Sequence, residues 1–248
     1  MHPLRQRISS CSVFCLATAV GLLLCLSASA MGGTLSATYF RVDVASSLGN
    51  EHYEVLSTDP SIDYDAGTYT WSWSTGAHAL GSVATLNSAN LTIVGDPQIA
   101  LGFALTAGEA DTTVTVTTAT LSFASLADPN GAAFASVTLT RNGATHTATL
   151  TGNGYAGSAY TAYLSGTPWD ESPYLPYLET TTSTSLSDGT GGFLPISGMV
   201  SSIQVQYSFV LSAGDQASGS SNYAIIPEPA SLALLAASGL MLLRRRRS

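Results

Sequence analysis

Three histidines beyond residue 30, namely His52, His78 and His146, are the side chains best suited to proton transfer near neutral pH. A zinc protease would show His-Glu-x-x-His on one helix face. An α/β hydrolase would show Gly-x-Ser-x-Gly at a strand-to-helix turn, and a nucleotide enzyme a Gly-rich phosphate loop. None of these is present. A Ser/His/Asp relay can be assembled from distant residues, so sequence leaves that arrangement open. No catalytic residue is assigned, and His146 is expected to have a structural role. Asp59, Asp63 and Asp65 lie in a turn-rich stretch with Glu51 and Glu54 upstream. Hard carboxylate oxygens suit calcium, but the alternate Asp positions, Gly and Glu of an EF-hand are missing. A solvated acidic loop is the simpler reading, so no metal ligand is assigned and calcium is the one cofactor the stretch would suit. Trp71 and Trp73 fall on one side of a strand: exposed they would stack on sugar rings, and buried they would fill the core. Core is the expectation. Trp169, Tyr174 and Tyr177 sit in a proline-rich stretch and are the better candidates for ligand or partner contact if they face solvent.

The elements that must position these groups are strands. Phe40, Val42 and Val44 alternate with Arg41 and Asp43; Tyr69, Trp71 and Trp73 alternate with Thr70 and Ser72. Ile203, Val205, Tyr207, Phe209 and Leu211 alternate with polar residues. Val114 and Val116 share one parity, and Leu121 and Phe123 the other, which predicts a bulge near Thr117–Ala119. Asn142-Gly143 is a two-residue hairpin signal. Closing there pairs Leu139 with His146, Val137 with Ala148 and Ala135 with Leu150. The opposite face then carries Thr138, Thr140, Thr145, Thr147 and Thr149, a sorting that a one-residue slip would destroy. No segment between residues 31 and 226 has a 3.6-residue period. The expected fold is all-β, an antiparallel two-sheet sandwich of which a jelly roll is one form, flanked by an N-terminal signal helix and a C-terminal transmembrane helix. Residues 167–195, with Pro168, Pro173, Pro176 and Pro195, read as a long excursion between strands. Ala213–Tyr223, rich in Gly and Ser, reads as a linker. The expected divisions are residues 1–30, 31–212, 213–226 and 227–248.

Composition narrows the function classes. All three cysteines, Cys11, Cys15 and Cys25, fall within the first 30 residues, so residues 31–226 hold no disulfide, thiol nucleophile or cysteine–zinc site. That region has 196 residues, enough for one self-sufficient core. It carries two arginines, no lysine and fifteen carboxylates, a net charge of −13. A nucleic-acid surface needs clustered Lys and Arg to displace counterions, so nucleic acid is excluded as a partner.

The two ends carry addresses. Arg5 and Arg7 precede an apolar run, Val13 to Leu26, and then Ala28-Ser29-Ala30 supplies the small-x-small pattern of signal cleavage, expected after Ala30. At the other end stand Pro227-Glu228-Pro229, an uncharged apolar run from Ala230 to Leu243, and Arg244, Arg245, Arg246 and Arg247. Four arginines resist translocation and hold their end in the cytoplasm. A run of 14 residues makes a helix of about 21 Å against a hydrocarbon core of about 30 Å, short for a permanent span.

This tripartite tail resembles the PEP-CTERM sorting signal of Gram-negative and related bacteria, over about the last 22 residues. The resemblance implies a membrane transpeptidase of the exosortase type as partner, with processing near Pro227-Glu228-Pro229. It also implies passage from an inner-membrane-anchored precursor to the cell surface or extracellular polymer, with polysaccharide as a further partner. A plain tail-anchored exported protein is the alternative for the same residues. The expectation is therefore a non-enzymatic surface or matrix protein. A carbohydrate-binding module comes second and an exported hydrolase third.

Overall fold

A computed structural model describes residues 33–143 and 146–227. In chain order its strands are β1 (Thr34–Leu35), β2 (Thr38–Ser46), β3 (Gly49–Leu56), β4 (Asp63–Asp65), β5 (Thr70–Thr75), β6 (His78–Leu80) and β7 (Ala84–Val94). There follow β8 (Gln98–Ala107), β9 (Thr112–Thr118), β10 (Leu121–Ala127), β11 (Asn130–Thr140), β12 (Ala148–Gly152), β13 (Tyr160–Leu164) and β14 (Thr167–Pro168). The last are β15 (Tyr177–Thr180), β16 (Ser183–Gly189), β17 (Leu194–Pro195), β18 (Met199–Leu211) and β19 (Gln216–Ile226). They form two antiparallel sheets. In the first, β18 pairs with β9 and β10 along one edge and with β12 and β13 along the other. β2 and β3 lie beyond β9, β1 beyond β10, β15 beyond β12 and β14 beyond β13. The second sheet has the order β16-β11-β19-β8-β7-β5-β4, with β17 also on β11 and β6 on β7. Their inward residues make one apolar core, as alternation requires.

The strongest period-two segments behave as expected. Ile203, Val205, Tyr207, Phe209 and Leu211 of β18 are all buried, as are Phe40, Val42 and Val44 of β2. β18 is the spine of the first sheet because it is long enough to serve two strands on each edge. On one edge β9 pairs Thr117 with Gln206, and β10 pairs Leu121 with Ile203. Four steps along one chain thus match three along the other. This is the bulge anticipated at Thr117–Ala119. It is sealed by Thr118, whose Oγ1 accepts the Val205 N–H at 3.2 Å and whose carbonyl accepts the Gln204 amide at 2.9 Å.

Three expectations are corrected. The Asn142-Gly143 hairpin does not form. β11 lies in the second sheet, with Leu139 opposite Thr184 and Ala217; β12 lies in the first, with Leu150 opposite Leu178 and Leu211. The face sorting survives, since Ala135, Val137, Leu139, Ala148 and Leu150 are all buried. Residues that face each other across a sandwich obey the same parity as hairpin partners, so parity alone does not distinguish the two.

The stretch 167–195 is not one loop. It contributes β15 to the first sheet and β16 to the second, where Ser183–Gly189 pairs with Phe134–Thr140. Finally, Ala213–Tyr223 is no linker. β19 is an interior strand, paired along its length with β11 on one side and β8 on the other. Its inward positions read Ala217, Gly219, Ser221, Tyr223 and Ile225. Gly219 is there because a Cβ would meet the Phe103 ring at 2.5 Å and the Tyr207 ring at 3.1 Å. Those two rings pack edge to face with centroids 5.0 Å apart and supply the apolar volume that β19 lacks.

Candidate functional site

Trp73 and Trp169 are buried, at 6% and 7% exposure. Trp73 packs on Phe40 with ring centroids 4.9 Å apart, and Trp169 on Tyr223 at 5.7 Å. Trp71 is half-buried under Tyr64 at 4.9 Å. The three tryptophans therefore do not form one open stacking face. Tyr174 and Tyr177 do face solvent. The Tyr177 hydroxyl donates to Glu179 at 2.8 Å.

The acidic loop spends its carboxylates locally. Asp59 accepts the Ser61 N–H and hydroxyl at 2.9 and 2.7 Å; Asp65 accepts the Gly67 N–H and the Thr68 hydroxyl, both at 2.8 Å. These bonds favour the ionised forms and lower both acidities' pKa from the usual carboxylate value. Among the described residues no group of three or more His, Cys, Asp or Glu side chains is arranged to hold a metal ion.

Of the histidines, His78 contacts the Thr75 hydroxyl at 2.6 Å and stacks on Tyr53. His146 donates from Nε2 to both oxygens of Asp215 at 2.9 Å. Asp215 is fully buried and also accepts the Ser212 hydroxyl and, at 3.0 Å, the Asn142 N–H. Ser212 Oγ in turn accepts the Thr149 N–H at 2.7 Å. The carboxylate stands between serine and histidine. In a nucleophilic relay the histidine must stand between serine and carboxylate to take the hydroxyl proton, so this trio staples chains and does not activate Ser212. It ties the crossing from β11 to β12 onto the start of β19, joining residues 69 and 73 positions apart that no local motif connects. Asp215→Ala is expected to cost about 2 kcal/mol, since it removes the buried carboxylate that accepts the part-buried Asn142 N–H and Ser212 hydroxyl. The urea midpoint at constant m-value measures it, and a loss under about 1 kcal/mol would show that the staple is dispensable.

Concavities lie on the outer sheet faces, one of them, of about 390 Å³, lined by Asp63, Ser72, Ser74 and Asn90 of the second sheet, and two others of larger volume. The one on the first sheet has a volume of about 460 Å³ and is lined by Arg41, Asp43, Asn50, Glu51, His52 and Thr115, among others. Its cation is already occupied: Arg41 binds Asp43 through two nitrogens at 2.7 and 2.8 Å, with Glu54 at 3.8 Å. The Asp43 hydrogen bond, with the charges of Asp43 and Glu54, raises the Arg41 pKa further.

The larger concavity on the second sheet is different in kind. It measures about 510 Å³ and lies over β11, β19 and β8 beside the Gly189–Gly192 loop. Phe134 and Phe193 line it at 50% and 48% exposure. Asn222 stands beside Phe134 in the β11–β19 register and Gln98 beside Ala224 in the β8–β19 register, the two amides joined by a hydrogen bond of 3.1 Å. Ala132 and Ala224 also line the groove. The sequence signal for this site was parity: once Ala135, Val137 and Leu139 face inward, Phe134 must face outward among the threonines. Phe193 offers no such signal, because a Gly-rich loop brings it there.

Pro227 is the last described residue and is exposed, one position beyond the end of β19. Glu228, Pro229, Arg244 to Arg247, Ala28 and Ala30 lie outside the described residues. Among the described residues no helix is long and apolar enough to cross a membrane.

No family model matches this chain. No curated protein matches it either. Among solved structures, a chain from the structure of infectious bursal disease virus Gt strain aligns over 88% of this chain and 74% of its own length, at 12% identity and a TM-score of 0.23. A likeness at that score carries no argument about fold or function.

Proposed function

We propose that the protein is an exported, non-enzymatic β-sandwich of the cell surface or extracellular matrix. In this reading a signal helix ending at Ala30 directs export. Pro227-Glu228-Pro229, a short transmembrane helix and Arg244–Arg247 then hold an inner-membrane precursor for an exosortase-like transpeptidase. The observation that carries the reading is the order of those three parts in a chain that also begins with a signal sequence. The position of Pro227 directly after β19 adds to it. With no linker in between, processing on the C-terminal side of Ile226 would free a whole domain and leave no paired strand in the enzyme's path. We read the sandwich as jelly-roll-like, on its repeated crossing between sheets.

The test is fractionation of the source cells with mass spectrometry of the mature termini. A protein beginning at Met31, ending near Pro227 and recovered from the surface or medium is expected. Substituting Arg244–Arg247 by serine, or Glu228→Ala, should move it to another fraction. An unchanged C-terminus and location in both variants would leave only a plain membrane tail.

A further inference from the structure

We propose that the concavity over β11, β19 and β8 is a binding site for a neutral carbohydrate, with Phe134 and Phe193 as its stacking surfaces and Gln98 and Asn222 as its hydroxyl-reading pair. This goes beyond the export reading and stands without it, because every residue it uses lies in the described domain.

The outer face of the second sheet consists of small and hydroxylated side chains almost throughout. On β11 the outward positions are Ser136, Thr138 and Thr140, and on β19 Ser218 and Ser220. Phe134 breaks that pattern. One half-exposed phenyl ring is ordinary on a protein surface, but Phe134 and Phe193 line the same groove, and an apolar pair of that kind finds its use in what covers it. The local backbone accommodates the ring. Gly189 stands opposite Phe134 in the β11–β16 register, and a Cβ there would meet the ring at 3.2 Å. Phe193 joins it from the loop that begins at Gly189.

The polar half of the groove specifies the ligand class. The Gln98 amide nitrogen donates to the Asn222 carbonyl oxygen. The Gln98 carbonyl oxygen is left as an acceptor and the Asn222 amide nitrogen as a donor. A neighbouring pair of hydroxyls on a ring satisfies both at once, since each hydroxyl both donates and accepts. None of the residues lining the groove carries a charge. An anion meets no cation there and is repelled by a domain of net charge −13; a cation finds no carboxylate. A neutral polyhydroxylated ring, apolar on its C–H face and polar on its rim, fits both halves. The volume, about 510 Å³, is that of a small-ligand site and takes one or two sugar rings.

The experiment is affinity electrophoresis of the full chain through gels containing dextran, galactomannan, mixed-linkage β-glucan or alginate, followed by calorimetry with oligosaccharides of any polymer that retards it. At least one neutral polymer should retard the protein and alginate should not. Phe134→Ala, Phe193→Ala and Asn222→Ala should each weaken binding about tenfold or more, as loss of a central contact does, with an unchanged urea midpoint. Tyr174→Ala, at an exposed tyrosine outside the groove, should leave affinity as it was. Failure of all three neutral polymers overturns the proposal. So does preference for alginate, or binding indifferent to Phe134 and Asn222. Flotation with phosphatidylcholine vesicles that Phe134→Ala abolishes would assign the phenyl pair to lipid and overturn it as well. None of these outcomes depends on where the tail is processed.

Discussion

A chain ending at Leu211 is expected to lose its cooperative fold altogether, although the segment removed before the Pro-Glu-Pro motif is mostly Gly, Ser and Ala. β19 pairs eleven residues with β11 and nine with β8. Removing it splits the second sheet down its middle and exposes two edges together with the buried faces of Leu105, Val137 and Leu139. Tyr223 and Ile225 each contribute about 1.5–3 kcal/mol of burial. With the ladder on both edges lost as well, the total reaches the whole stability of a typical domain, about 5–15 kcal/mol. A gentler variant tests the same point without deletion. Gly219→Val drives a branched side chain into the Phe103 and Tyr207 rings and should cost about 3 kcal/mol or more. Ser218→Val, one position away and facing outward, should be near neutral. Urea unfolding followed by far-ultraviolet circular dichroism measures both; equal effects at the two positions would return this segment to a linker.

That misreading shows what the sequence carried and what it did not. β2, β18 and the Val137–Leu139 end of β11 were legible because their inward positions hold branched or aromatic apolar side chains, and alternation then needs no partner to be seen. β19 has the same alternation of environments, but its inward residues are Ala, Gly and Ser over half its length, because Phe103 and Tyr207 reach across to fill the space. The hydrophobic pattern of one strand was stored in two others. β16 was hidden for a related reason: an edge strand of Ser and Thr buries little and has no pattern to show. The hairpin failed on a different point. Parity placed Val137 and Leu150 on the core side, and they are there, but β11 pairs with β16 and β19 and β12 with β15 and β18, and the crossing is tied by Asp215, a residue 73 positions beyond Asn142. For the groove, Phe134 was readable from parity. Gln98, Asn222 and Phe193 became neighbours only through the pairing of β8 with β19 and β11 with β16, which no local spacing encodes.

Raising the pH through about 11 is expected to unfold the domain. Four tyrosines, Tyr39, Tyr160, Tyr207 and Tyr223, are fully or almost fully buried, and burial pushes the pKa of each well above the ordinary phenol value near 10. Two of them hold their protons in hydrogen bonds. Tyr39 donates to the carbonyls of Trp71 and Leu91 at 3.0 Å, and Tyr207 to that of Ser220 at 2.7 Å. A phenolate there would face carbonyl oxygens. The folded state therefore keeps the protons that the unfolded chain releases above pH 10. The stability from these neutral phenols is whole below about 10 and falls as the pH climbs toward the raised values. Each buried tyrosine costs about 1.4 kcal/mol per pH unit in that window, so four remove about 6 kcal/mol by pH 11, comparable to the entire stability of an ordinary domain. The chain has no lysine, and its cysteines all precede residue 30, so tyrosine dominates the titration. Phenolate absorbance should rise in two phases, a gradual one from solvent-facing phenols and a steep one coincident with loss of circular dichroism. Tyr223→Phe should move the steep phase to higher pH, because that hydroxyl has no hydrogen-bond partner among the described residues and the ring alone fills its place. A smooth single-phase titration with the dichroism intact beyond about pH 12 would mean that these four phenols exchange with solvent, and that the two sheets are not closed over them.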